Sequence, residues 1–161
     1  RLSLVGSEMC IRDRYRIDGL ASGMPSAERV HGFGGGGCAL PVVVGDYWIQ
    51  SVPSAHAVVA LDVSETERPR EVSRVILGDR NFPHWLALDR DGHRIVVGDR
   101  GDGEPRLFVL TIDPESGELA LDEDFRDPGA DGPGVDFGRT EWPHGPTGRA
   151  KPHGTVFGGS Q

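Results

Sequence analysis

With 161 residues and a formal net charge of −8, the chain is long enough for one ordinary domain. It is also too acidic to grip nucleic acid or an anionic membrane, which takes a clustered basic face. Its 24 glycines and 12 prolines mark a turn-rich chain. No window sustains an apolar period of about 3.6 residues, so helix should be scarce, and no apolar run is long enough to span a bilayer. The two cysteines, Cys10 and Cys38, do not form a disulfide framework by count or spacing.

Arg1–Arg14, RLSLVGSEMCIRDR, matches nothing downstream. It closely resembles the translated read-through of a sequencing adapter, a contaminant of assembled metagenomic reading frames. It is therefore expected to be a non-native or disordered tail, set aside from fold reasoning as any appended segment would be. The chain does not begin with Met, and no secretory n-region or h-region is present, which leaves cytoplasmic and periplasmic or secreted compartments equally open.

Tyr15–Leu40 reads as a loop-rich lead-in. Gly32, Gly34 and Gly37 fit G-x-G-x-x-G in spacing. A dinucleotide fingerprint requires a helix after the last glycine. Here Cys38-Ala-Leu-Pro-Val-Val-Val44 follows and opens a strand, so the glycines are read as flexible turn. Cys38 reads as a small half-buried apolar residue.

From Pro41 the chain settles into a repeat. Val42–Val44, Asp46–Val52, Ala57–Val63 and Arg70–Leu77 are four strand candidates, separated by Gly45-Asp46, Pro53-Ser54 and Ser64–Pro69. Trp85–Leu88, Arg94–Gly98, Leu107–Ile112 and Glu118–Leu121 are four more, separated by Asp89–His93 and by links ending in Asp113–Gly117. Asp-Gly supplies the left-handed step of a tight hairpin, and Pro and Gly punctuate the longer connections. Pro41 and Pro83 stand 42 residues apart. Four strands per unit with a period in the forties is the pattern of propeller blades. Val58–Val63 and Leu107–Ile112 are almost continuously apolar, as expected of sheets covered on both faces. Blades lie about at 41–78 and 83–125.

Residues 122–151 interrupt this rhythm with a long acidic, glycine-rich insertion, of the kind that is either functional or disordered. Asp127, Asp131 and Asp136 lack the ligand spacing of a calcium loop and read as solvated. Pro152-His-Gly-Thr-Val-Phe157 then repeats the opening Pro83-His-Trp-Leu-Ala-Leu88, so 152–161 should start a further blade. Two blades and two stubs leave apolar faces uncovered, and the chain is expected to be a fragment that needs the remaining blades of its parent.

Pro83-His84, Asp91-Gly-His-Arg-Ile-Val-Val97 and Ile112-Asp-Pro-Glu-Ser-Gly-Glu-Leu119 resemble a repeat of the lactonase-like, YVTN-type propellers, a group that includes bacterial 6-phosphogluconolactonases. Ala60-Leu-Asp-Val-Ser64 with Pro69-Arg-Glu-Val72 resembles blades of the selenium-binding protein family, some of whose members are copper-dependent methanethiol oxidases. The resemblance covers roughly Ala39 to Phe157 and implies an all-β fold, a partial propeller of about three blades of a ring of seven. It implies a parent that binds a small molecule or metal ion in its channel. A sugar-lactone hydrolase and a non-catalytic interaction scaffold are the alternatives, because propellers host all three.

The first strand of a blade lines the channel, and His84 and His153 share one slot at the start of such strands. Either the rings converge as ligands for copper or zinc, or each Pro-His pair caps its strand. The resemblance to the selenium-binding family favours ligation. Val42 in the equivalent slot of the first blade weakens a ring of histidines. His144, in Trp142-Pro-His-Gly145, is a candidate third ligand folding over the mouth. Trp85 and Trp142 are candidate walls for a small-molecule ligand. His56 reads as a packing residue and His93 as a solvated turn residue. His31, beside the glycine run, has no assigned role. No G-x-S-x-G elbow is present.

Overall fold

In this computed structural model, residues 2–5, 13–32, 39–65, 67–100 and 103–158 are described. They form three antiparallel sheets. Among them there is no α-helix, only 3-10 turns at Leu20–Ser22 and Pro53–Ala55. The readings of Cys10, Gly34, Gly37 and Cys38 fall outside the described residues.

The first sheet corrects two expectations. β1 (Leu2–Val5), β2 (Asp13–Asp18) and β3 (Ser26–Gly32) lie in that order. Leu2–Val5 ladders onto Ile17–Arg14, so the first fourteen residues are not wholly without structure, and the lead-in is not simply loop. The reason is local. Tyr15 and Ile17 alternate with Arg16 and Asp18, the period-two pattern of a strand. Once β2 is extended, its free edge satisfies the backbone groups of β1. Arg16 pairs with Asp18 and Glu28 within this sheet and with Glu67 outside it, and the last of these ties the sheet to the rest of the chain.

The two predicted blades form almost as read. β4 (Val42–Val44), β5 (Tyr47–Val52), β6 (Ala57–Asp62) and β7 (Arg70–Ile76) make one four-stranded meander. β8 (Pro83–Leu88), β9 (Arg94–Asp99), β10 (Arg106–Ile112) and β11 (Leu119–Leu121) make the next. The first strand of one packs beside the first of the other, β4 against β8, and the last beside the last, β7 against β11. Two meanders stacked inner edge to inner edge and outer edge to outer edge are adjacent propeller blades.

Their shared interface is the core. Ile49, Val58 and Ala60 of the first blade and Ile95, Val97 and Leu110 of the second are essentially solvent-free in a single cluster. Full burial of each Ile, Val or Leu stabilises the pair by about 1.5–3 kcal/mol before entropy is counted. Polar contacts fix the register of the stack. The Leu119 amide donates to Ser73 Oγ at 2.9 Å, and Tyr47 Oη donates to the Glu115 carbonyl at 2.7 Å. Gly117 takes φ +74°, and a β-carbon there would meet the Tyr47 ring at 2.4 Å. A side chain is therefore excluded from that turn twice over.

The insertion is more ordered than its composition suggested. A short strand, β12 (Val135–Asp136), pairs with the start of β10, while β11 pairs with its end. The outer edge of the second blade is thus shared by two short strands. Asp127 is corrected from a solvated residue to a staple: it holds the Arg139 guanidinium and accepts the Asp136 amide at 2.8 Å. Asp136 in turn accepts the Gly138 amide at 2.7 Å.

The strand expected at Pro152–Phe157 is not formed. This segment crosses the open face of β8 and β9 instead of joining an edge, so its backbone has no ladder to enter among the described residues. The place where a further blade would pack is partly covered by the chain's own segment.

Candidate functional site

Trp85 pairs with Gly98 and Ala87 with Val96, so these four residues share the face of the second blade that points away from the first. Pro152-His-Gly154 lies on that face. Gly98 makes the approach possible, because a β-carbon there would sit 2.4 Å from the Pro152 carbonyl oxygen. Gly154 lies over the Trp85 indole, its β-carbon position 3.5 Å from the ring. An isolated glycine inside a strand marks such a close backbone approach, and this is the signal by which Gly98 could have been found in the sequence.

His84 occupies an irregular position. Pro83 pairs with Asp99 and Trp85 with Gly98, leaving His84 as the extra residue of a β-bulge. In a regular strand, consecutive side chains point to opposite faces. Here the rings of both His84 and Trp85 lie close to His153, at centroid distances of 5.0 Å and 6.4 Å. The bulge re-aims a side chain, as bulges next to functional sites do. The His84 carbonyl accepts the Leu40 amide at 3.1 Å, which fixes the bulge to the lead-in of the first blade. His84 is half-buried and His153 is exposed, so the pair opens to solvent on one side.

Two of the three candidate ligands are therefore brought together and the third is not. The His144 ring stacks on Trp142 at 6.3 Å, and its Nε2 lies 3.4 Å from Thr147 Oγ1. Trp142, expected to line a ligand pocket, is occupied within its own loop. Its indole N–H donates to the Gly148 carbonyl at 2.9 Å, Phe137 meets it edge-on at 5.2 Å, and the Arg139 guanidinium lies 5.0 Å from its ring. The reason is a tight turn closed by reciprocal Trp142 and Gly145 backbone hydrogen bonds, which folds the loop onto itself. His56, at φ +51°, packs as expected: Nδ1 lies 2.9 Å from the Asn81 carbonyl oxygen, and the ring meets Phe82. His93 is exposed in its turn.

The donor set can be tested against a metal. Rings 5.0 Å apart are within the span of two imidazoles sharing one first-row ion at about 2.0–2.1 Å. Zinc, however, takes about three or four protein ligands. Among the described residues, no group of three or more His, Cys, Asp or Glu side chains could hold a metal ion. The described residues therefore bring two imidazoles together without completing a metal site.

No protein-family model matches the sequence, and no curated protein matches it. Among solved structures, a hypothetical selenium-binding protein from Sulfolobus tokodaii is similar over 78% of this chain and 34% of its own, with TM-score 0.55 and 18% identity. A functionally unknown protein from Desulfotomaculum acetoxidans is similar over 68% of this chain and 33% of its own, with TM-score 0.50 and 18% identity. A protein from Lactobacillus plantarum is similar over 68% of this chain and 34% of its own, with TM-score 0.53 and 16% identity. The chain spans about a third of the length of the structures it matches. At these identities the likeness is one of fold, and the fold is a partial β-propeller.

Proposed function

We propose that this chain is the part of a β-propeller that holds a small molecule or a transition-metal ion at the channel end of its second blade. His84 and His153 are the binding groups and Trp85 is an apolar wall beside them. The observation that carries the reading is the 5.0 Å approach of two imidazoles that lie far apart in the chain, achieved by a bulge at one and a glycine-permitted crossing at the other. Packing alone does not require a bulge to turn a histidine toward a half-open face.

Neutral imidazole suits copper and zinc far better than a hard, oxygen-seeking cation. The S. tokodaii neighbour's description as a hypothetical selenium-binding protein is in keeping with a soft or borderline partner. Two donors leave coordination positions for water, for a ligand, or for groups of a longer parent chain. A bound ion would supply Lewis-acid or redox chemistry, while the residues present here orient it and exclude water on the Trp85 side.

The test is calorimetric titration of the chain with Cu²⁺ and with Zn²⁺. His84→Ala and His153→Ala should each weaken binding about tenfold or more, the scale of losing one strong ligand contact, and His144→Ala should leave it unchanged. Equal affinity in all four proteins would remove the proposal.

A further inference from the structure

We propose that a second site, separate from the histidine pair, binds a small organic oxyanion in the cleft between the link joining the two blades and the insertion. The cleft encloses about 260 Å³ and is lined by Arg80, Glu104, Arg106, Asp136 and Arg149. The chain as a whole carries a net charge of −8, yet here three guanidinium groups face two carboxylates.

The carboxylates are already engaged. Glu104 lies 3.2 Å from Arg80 and 3.8 Å from Arg106, and Asp136 Oδ1 accepts the Gly138 amide. Arg106 is held in place, its Nη1 donating to the Pro133 carbonyl at 3.0 Å. The backbone is drawn close along the same wall. The Glu104 amide donates to the Arg80 carbonyl at 2.8 Å, and Gly103 comes so near that a β-carbon would lie 2.0 Å from that carbonyl oxygen. Arg149 makes no ion pair or hydrogen bond among the described residues. It leaves one positive charge uncompensated and facing an open cleft. Guanidinium forks match phosphate and carboxylate oxygens in geometry.

An adjoining recess of about 210 Å³ shares Glu104 and Arg106 with this cleft and is walled by Leu77, Phe108 and Leu121. The two together suit a molecule with an anionic head and an uncharged, partly apolar body. A phosphate monoester and a carboxylate share that head chemistry.

Calorimetry on the full chain at low ionic strength, with inorganic phosphate, phenyl phosphate and benzoate as probes, tests the site. Phenyl phosphate should bind about tenfold more tightly than inorganic phosphate through the apolar recess. Arg149→Gln and Arg80→Gln, both exposed substitutions, should each weaken it about tenfold. Benzoate matching phenyl phosphate would identify a carboxylate head, and benzoate failing to bind would identify a phosphate. Arg68→Gln, remote from the cleft, and His84→Ala, in the other site, should change nothing. Phosphate affinity unaltered by Arg149→Gln and Arg80→Gln, or lowered equally by Arg68→Gln, would overturn the proposal.

Discussion

The Pro152 carbonyl oxygen lies against the α-carbon side of Gly98, so close that a methyl group there would sit 2.4 Å from it. This contact sets the height of the Pro152–Gly154 segment above the second blade, and through it the distance between His153 and His84. Gly98→Ala should lift the segment and part the rings. Overpacking of this kind costs about 1–3 kcal/mol. The expected result is a modest fall in the urea midpoint with a disproportionate loss of Cu²⁺ or Zn²⁺ binding. Gly154→Ala, whose β-carbon would lie at an ordinary 3.5 Å from the Trp85 ring, should do neither. Both can be read from a denaturation curve and a metal titration on each variant.

The stack of the two blades depends on Ile95 and Leu110, each with no exposed surface and both in the cluster between the sheets. Truncation of either to alanine removes buried surface and leaves a cavity, a loss of about 2–5 kcal/mol. Val43→Ala, at a position 51% exposed, should cost less than about 0.5 kcal/mol. Urea unfolding of the three variants measures the contrast, and similar values for all three would mean that the blades do not share a core.

Gly117→Ala combines a left-handed φ of +74° with a clash on the Tyr47 ring. It should destabilise the chain by about 1–3 kcal/mol and break the Tyr47 hydrogen bond to Glu115. Tyr47→Phe removes only that bond, an effect of about 1 kcal/mol. A larger loss in the tyrosine variant than in the glycine variant would contradict the packing described for this turn.

Acid should weaken the insertion's attachment to the second blade. The Asp122 carboxyl is held below its usual range, chiefly by the hydrogen bond from the Arg94 guanidinium, against some desolvation, and further by the Phe125 and Asp124 amides. A depressed folded-state pKa contributes stability that is fully present above the unfolded value of about 3.9 and is lost as pH falls through the folded one. Stability should therefore decline from about pH 5 downward, with Asp122→Asn showing a shallower decline over the same window. An identical acid profile in the two proteins would exclude Asp122 as a contributor.

The alternation and turn chemistry of residues 41–121 were enough, read along the chain, to place eight strands in two meanders, because period-two burial and Asp-Gly or Pro-Ser turns act over a few residues. The same local logic misjudged both ends. At Tyr15–Asp18 the alternation spans only four residues, and the strand there rests on its pairing with β1 and β3. At Pro152 a strand-like motif lies across a face, since a strand needs a partner edge and a motif cannot show whether one is present. Pro83-His84 and Pro152-His153 could be matched as pairs in the sequence. Their meeting depends on the bulge at His84 and the clearance at Gly98, both products of sheet register. His144 and Trp142 carried the same residue types but were turned inward by their own loop. Arg80, Arg106 and Arg149 had no shared spacing to find, because the link before β8, the start of β10 and the insertion meet at one cleft only in the folded chain. Local periodicity decides what is a strand, whereas long-range packing decides which side chains share a space.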